Sequence, residues 1–278
     1  MSIAISAEST IDLPKDLLEK FNISTVPFTI LLGDETVLDG VVPTESIFDF
    51  VEKNKVLPKT SAVNEYQYVE HFSKLLKTSD AVIHFSLSSE MSSAYANAVK
   101  ASKELKNVYV IDSRSLSTGI ALLAIKASRL ASSGKSAEQI VSIVKEATKN
   151  VQASFVINKL DYLKKGGRCS FLALFGANLL KIRPQIIVSN GKMISGKKYR
   201  GDYNLVVKNY CADTLKQFPS QDKSIAFITY TTASDLAVQY AEDALKGAGF
   251  KEIYKTRAGG TIASHCGPNT LGILFLTI

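Results

Sequence analysis

The stretch Gly259-Gly260-Thr261-Ile262-Ala263-Ser264-His265-Cys266-Gly267-Pro268-Asn269-Thr270 gathers glycines, hydroxyls and one imidazole with no carboxylate among them. Small residues let backbone N–H groups approach a ligand closely, and Ser264, His265 and Thr270 add donors, so this composition suits an anion. A second cluster, Ser86-Leu87-Ser88-Ser89-Glu90-Met91-Ser92-Ser93-Ala94-Tyr95, follows an apolar run and leads into a helical pattern. A serine-rich turn between strand and helix points amides and the positive end of the helix dipole outward, which attracts carboxylate or phosphate. Thr60-Ser61 is a third hydroxyl pair, after Pro58-Lys59. Each feature also has an ordinary reading: helix capping for the hydroxyls, and a glycine-rich turn before the last strand with a packed histidine.

Other reactive patterns are thin. Gly191-Lys192-Met193-Ile194-Ser195-Gly196-Lys197-Lys198 falls one residue short of a P-loop, with Lys198 where the magnesium-binding Ser or Thr would stand. Asn190-Gly191 reads as a hairpin turn and Gly196 falls inside the returning strand, so a nucleotide site is rejected. No G-x-S-x-G elbow supports a serine hydrolase, although Ser92 and His265 could meet in space as nucleophile and base. Of the three histidines, His71 and His84 read as structural, and without H-E-x-x-H or clustered cysteines no catalytic metal is expected. Cys169, Cys211 and Cys266 lack C-x-x-C spacing, which suggests reduced thiols rather than a disulfide framework or a zinc site.

The elements that must position these groups alternate. Strands are expected at 3–6, 25–32, 81–87 and 107–111, and helices at 16–21, 44–53, 65–76, 91–105 and 116–132. Gly134 stops the last of these, and Ser136-Ala137-Glu138-Gln139 forms a capping-box start for a helix running to about residue 150. Downstream, 153–158, 185–189, 193–199, 224–230 and 271–278 read as strands, with long helices at 203–218 and 234–246. The segment 171–180 is apolar on nearly all helical faces, so it is either core or a wall that lines something. The pattern divides into an N-terminal α/β domain at 1–150 and a C-terminal α/β domain at 151–278.

A chain of 278 residues that is 46% hydrophobic can bury a large core. No apolar run approaches the ~20 residues that span a bilayer, and Met1-Ser2-Ile3-Ala4 lacks a basic region followed by an apolar stretch, so a cytoplasmic location is expected. Between residues 159 and 200 ten basic residues face one acid, Asp161, a surplus of +9 that leaves −2 for the rest of a chain whose total is +7. Such a segment attracts an acidic protein partner, an anionic membrane surface or nucleic acid. Nucleic acid is disfavoured, because the segment lacks aromatic interleaving and no recognised module appears.

In order and spacing along nearly the whole chain, Glu8-Ser9-Thr10-Ile11-Asp12-Leu13, Thr60-Ser61-Ala62, Ser92-Ser93-Ala94-Tyr95, Asp112-Ser113, Leu163-Lys164-Lys165-Gly166-Gly167-Arg168 and His265-Cys266-Gly267-Pro268 resemble the DegV family. These are the fatty-acid-binding subunits of bacterial fatty-acid kinase. This chain departs from the family's Asp-Ser at Glu8-Ser9, from its Ser-Gly-Thr at Ser92-Ser93-Ala94, and from its His-Thr-Gly-Pro-Gly at His265 to Asn269. The resemblance implies an α/β, two-domain DegV-like (EDD) fold, with a mainly parallel sheet in the first domain, a mixed sheet in the second and a lipid tunnel between them. It implies a non-catalytic carrier of a long-chain fatty acid, whose carboxylate is held by Thr60, Ser61, Ser92, Ser93, His265 and Thr270. It further implies a separate kinase subunit that docks at Arg168 and Arg200 and brings ATP and magnesium, so no cofactor beyond the bound lipid is expected. Transient contact with a membrane surface is a further expectation. The alternatives are a lipid reservoir without kinase coupling and a Ser/His acyl hydrolase.

Overall fold

A computed structural model describes residues 2–158, 160–168 and 182–278; the apolar segment 171–180 and Cys169 lie outside them. The chain opens with β1 (Ile3–Glu8), α1 (Lys15–Lys20), β2 (Ile23–Val26), β3 (Thr29–Leu32), β4 (Glu35–Leu38), α2 (Thr44–Asn54), β5 (Lys59–Ser61), α3 (Glu65–Leu76), β6 (Ala81–Ser86), α4 (Ala94–Ser102) and β7 (Val108–Asp112). Two helices, α5 (Thr118–Ser132) and α6 (Ala137–Ala147), lead to β8 (Val151–Ile157) and α7 (Asp161–Gly166). The rest is β9 (Ile182–Ser189), β10 (Lys192–Arg200), α8 (Tyr203–Gln217), β11 (Gln221–Tyr230), α9 (Asp235–Gly247), β12 (Glu252–Arg257), α10 (Gly260–Cys266) and β13 (Thr270–Thr277).

Three sheets result. A parallel sheet runs β2-β1-β6-β7, a small antiparallel one β4-β3-β5, and a mixed one β10-β9-β8-β13-β11-β12 in which only β11 and β12 are parallel. Helix α5 is buried on every side from Thr118 to Ile125, because it lies between the parallel sheet and the inner face of the mixed sheet. Leu122, Ile125, Phe155, Ile157, Phe227 and Leu274 therefore join one core that spans both halves, while α8 and α9 cover the opposite face of the mixed sheet with a second. Among the described residues no helix is long and apolar enough to cross a membrane.

The expected strand at 25–32 is two strands in different sheets. Pro27 breaks it, having no N–H to give a ladder, and the amide of Phe28 donates to Ser9 Oγ at 3.0 Å. The helix expected at 91–105 is shorter, because Ser88 to Ser93 form a separate turn. Strands β4, β5 and β12 and helices α7 and α10 were not expected from periodicity; each is short, and β12, at a sheet edge, has neither an apolar run nor an alternating pattern. The Ser136 capping box is present, with Gln139 answering it. Asn190 and Gly191 both take positive φ in a two-residue hairpin between β9 and β10, with Gly196 inside β10, which is the context that excludes a P-loop.

A polar chain is sealed within the first half. Glu8 is fully buried and accepts from Tyr68 Oη, from His84 Nε2 at 3.1 Å and from the amide of Leu87 at 2.8 Å. Ser6 Oγ bridges His84 Nδ1 at 2.9 Å to His71 Nε2 at 2.7 Å. Burial works to raise the Glu8 carboxyl, but His84, Tyr68 and Ser86 outweigh it and hold it below the usual range. Burial drives the His71 imidazole down to about 3, assisted by His84 and Lys74. The unfolded chain therefore takes up a proton at His71 near pH 6.5 that the folded chain refuses, and stability must fall as pH drops from 6.5 toward 3. The slope from this residue is about 1.4 kcal/mol per pH unit. Urea midpoints measured at pH 7 and pH 5 should fall with acidification, and His71→Gln should flatten that fall by this amount at about pH 5 to 6.

Candidate functional site

A cavity of about 290 Å³ opens between the small sheet, the Ser88–Ser93 turn, α7, β10 and α10. Its walls are Phe28, Ala62, Leu87, Met91, Leu116, Leu163, Met193, Ile262 and Cys266, and its polar groups are Thr60, Ser61, Ser92, Ser93, Thr261, His265 and Arg168. A narrow apolar void of about 30 Å³ shares Leu116, Ile262 and Cys266 with it and continues toward Phe155 and Leu274. Five of the six head-group candidates thus meet in one space, from residues far apart in sequence.

Each is brought there by a specific local arrangement. Thr60 lies on β5, whose pairing with Ile30 on β3 fixes its position. Ser92 and Ser93 end the turn after β6: Ser92 Oγ accepts from the amide of Ala94 at 3.2 Å, leaving its O–H to donate, and Ser93 makes no side-chain cap bond. The amides at the beginning of this turn, expected to point outward, are instead satisfied within the protein. Leu87 donates to Glu8, Ser88 to the Ser115 carbonyl, Ser89 to Asp112, and Met91 and Ser92 to the Ser88 carbonyl. Ser92 and Ser93, at the end of the turn, line the cavity.

The glycine-rich stretch is corrected in the same way. It forms α10 rather than an open turn, and carboxylates reach it from elsewhere in the chain: the amide of Gly259 donates to Asp12 at 2.8 Å and that of Thr261 to Asp39 at 3.3 Å. Thr44 Oγ1 donates to the Ala258 carbonyl at 2.6 Å, so the start of α10 is pinned from three sides. Burial raises the Asp12 carboxyl well above its usual range against the bonds from Ser117 and Gly259. Thr270 lies one step away: it borders the adjoining apolar void rather than the cavity itself, and its hydroxyl donates to the Cys266 carbonyl at 3.0 Å, as Ser264 donates to Gly260.

His265 is the centre of the polar group. Its Nε2 lies 2.8 Å from Thr60 Oγ1, while Nδ1 is buried without a hydrogen-bond partner among the described residues. An unpaired acceptor is a lesser penalty than a trapped N–H, so the favoured tautomer carries its proton on Nε2, donates to Thr60 and frees the Thr60 hydroxyl to donate into the cavity. Burial first, and the guanidinium of Arg168 second, push the imidazole down to about 4, so it is neutral at physiological pH. Because Nε2 is engaged by Thr60 and no Ser92–His265 hydrogen bond occurs among the described residues, the pair is not set up as nucleophile and base.

Arg168 differs from its expected setting. It lines the cavity beside His265, exposed, with Nη1 donating to the Gly166 carbonyl at 2.7 Å, and it is the lone charged side chain among the described lining residues. Arg200 is exposed at the far end of β10 and does not line the cavity. Sequence reasoning passed over Thr261, which lies within the glycine-rich stretch but whose direction depends on α10 being a helix.

A family profile described as an uncharacterised protein, DegV family, matches residues 2–277. The chain is 30% identical over 279 residues to a DegV domain-containing protein of Caldanaerobacter subterraneus subsp. tengcongensis, covering 98% of each. It is 29% identical over 280 residues to a Thermotoga maritima protein named fatty acid-binding protein, covering 98% of this chain and 96% of that one. The crystal structure of a Bacillus subtilis protein, described as DegV, a fatty acid binding protein, matches with a TM-score of 0.87 at 27% identity over 100% of both chains.

Gly166 leaves room for the imidazole, since a Cβ there would lie 2.6 Å from His265 Nδ1. Gly166→Ala should displace the ring toward the open mouth and relieve its burial. By NMR titration the wild-type imidazole should change charge at about 4, and that of the variant nearer the ordinary ~6.5.

Proposed function

We propose that this chain, which belongs to the DegV family, is a carrier that holds a long-chain fatty acid and presents its carboxylate to a separate ATP-dependent kinase subunit. Its fold is the mixed α/β DegV fold, with a parallel sheet and a mixed sheet flanked by helices. The observation that carries the reading is the cavity itself, in which apolar walls surround a cluster of hydroxyls and a neutral imidazole, in a chain similar throughout its length to proteins named for fatty-acid binding.

The chemistry follows from the lining. Thr60, Ser61, Ser92 and Ser93 donate hydrogen bonds to a carboxylate, and His265 acts through Thr60 by fixing the direction of its hydroxyl. Held by neutral donors, the carboxylate keeps its lone pairs for attack on a phosphoryl group. Phosphoryl transfer needs a metal and cationic charge around the transferred group, which the kinase supplies with its nucleotide. Arg168 sits where a carboxylate or acyl phosphate would emerge, and Arg200 belongs to the exposed basic surface that steers an acidic partner.

Lipid released by denaturing purified protein should contain one long-chain fatty acid per chain by mass spectrometry; empty protein from several hosts would oppose the reading. Ser92→Ala or His265→Ala should weaken head-group contact by ~1.5–3 kcal/mol while the tail remains bound. Kinase-coupled acyl-phosphate formation should therefore fall far more than lipid content. Arg200→Ala should slow kinase-coupled turnover in a salt-dependent manner with lipid content unchanged, whereas Arg168→Ala should alter both.

A further inference from the structure

The tip of the β9–β10 hairpin is a thin wall with open space on both sides. Met193 lines the cavity on its inner side. On its outer side a groove of about 580 Å³ is bordered by Val188, Ser189, Asn190 and Ile194 of the same hairpin, together with Arg114 and Phe218. Strand β9 pairs with β8 through Gln185, Ile186 and Ile187, and residues 188–193 extend past that ladder. What reaches the tip from the first half of the chain is a polar latch. Ser88 Oγ donates to the Gly191 carbonyl at 2.7 Å, Arg114 Nη2 donates to the Asn190 carbonyl, and Lys192 Nζ lies 3.3 Å from Glu90 Oε2. Arg114 Nη1 also lies 3.4 Å from Glu90 Oε1 and 3.6 Å from Asp112 Oδ2, so one guanidinium ties the tip to the turn that ends in Ser92 and Ser93. The approach is close: a Cβ on Gly191 would lie 2.6 Å from Ser88 Oγ and 2.9 Å from Arg114 Cζ.

The walls of the cavity differ in what it costs to move them. Leu87, Leu116 and Cys266 are buried in the main core, where displacement would open voids among close-packed neighbours. The latch is exposed, with the side chains of Arg114, Glu90 and Lys192 at 35%, 34% and 65% accessibility. Ion pairs in such settings contribute little and are screened by salt. Met193 does pack against the core, but its unbranched thioether adapts to a changing surface. Among the described walls, the hairpin tip therefore moves at least cost, and the outer groove gives it somewhere to go.

We propose that the tip of the β9–β10 hairpin is the gate through which the acyl chain exchanges, closed by the latch of Ser88, Glu90, Arg114 and Lys192 and opening toward the outer groove. This rests on the fatty-acid reading above and adds to it how the same site is loaded and emptied. None of the four latch residues lines the cavity, so the latch makes no contact that distinguishes the loaded protein from the empty one. Weakening it raises the open population in both states alike. Entry and exit then quicken together, and affinity stays where the cavity walls set it.

The test follows exchange of bound radiolabelled palmitic acid against excess unlabelled palmitic acid, beside its equilibrium affinity. Glu90→Gln removes the pairs with Arg114 and Lys192 at once, and should speed exchange by about two- to fivefold while affinity changes by less than about twofold. Wild-type exchange should accelerate as salt is raised, and that of Glu90→Gln should stay nearly flat. Conversely, Glu90→Cys with Lys192→Cys, joined by a short bismaleimide in a Cys169→Ser background, should bring exchange almost to a halt; Cys211 and Cys266 are buried. Exchange as fast in the crosslinked protein as in the same variant capped with N-ethylmaleimide would overturn the inference and place the entrance elsewhere. A loss of affinity in Glu90→Gln that matches its faster release would also overturn it, since the latch would then hold the bound state rather than gate it. Failure of the wild type to bind palmitic acid or any other long-chain fatty acid would remove the fatty-acid reading and this inference together.

Discussion

The hydrogen bond between Thr60 Oγ1 and His265 Nε2 joins residues 205 positions apart at 2.8 Å, and the cavity's polar group exists because the fold closes that gap. Neither partner can be placed by its own neighbourhood. Thr60 is held by the short ladder of β5 on β3, and that ladder exists because Pro27 turns the chain out of the parallel sheet. His265 is held by α10, whose entry is pinned by Asp12, Asp39 and Thr44 and whose exit is pinned where Thr231 donates to the Gly267 carbonyl. Loosening any of these changes the separation of the two atoms before it changes the sheets.

The same arrangement explains how three buried carboxylates, Glu8, Asp12 and Asp39, can lie close by while the described lining residues include none. Glu8 takes the amide of Leu87, Asp12 that of Gly259 and Asp39 that of Thr261, each at a turn that also contributes to the cavity wall. The acids thus satisfy the backbone from behind, while the side chains of those turns face the ligand space with hydroxyls and methyl groups. Neutrality of His265 completes the pattern: burial keeps the imidazole uncharged, and its Nε2 fixes the direction of the Thr60 hydroxyl.

How far this was legible in the sequence depended on the range of the determining contacts. Helix α3 runs from Glu65 to Leu76 and α6 starts at a Ser136–Gln139 capping box, both readable because apolar spacing and capping are local signals. The family motifs named Thr60, Ser61, Ser92, Ser93 and His265, all of which reach one cavity, since motif order along the chain carries information that periodicity does not. What failed was inference from composition to exposure of the backbone. A stretch of glycines and small residues suggested open amides, but whether an amide is open is decided by distant groups such as Asp12 and Asp39. The exact settings of Thr270 and Arg168 were not legible for a related reason: their direction depends on the paths of α10 and α7, two short elements without a periodic signature.

The division of labour within the cavity also follows from magnitudes. Under the proposed fatty-acid reading, burying an acyl chain of about 16 methylenes is worth roughly 13 kcal/mol gross, whereas each head-group hydrogen bond contributes ~1.5–3 kcal/mol. On that reading affinity resides in the walls and orientation in the hydroxyls. Met91 and Met193, the two methionines beyond the N-terminal one, both line the cavity. An unbranched thioether fills irregular gaps at little strain, so walls of this kind follow the shape of a tail rather than dictate it. Selectivity in such a site must then come from its fixed points, and the fixed points are the side chains locked by α10 and β5: the sharper discrimination lies at the head of the ligand, where most of the binding energy does not.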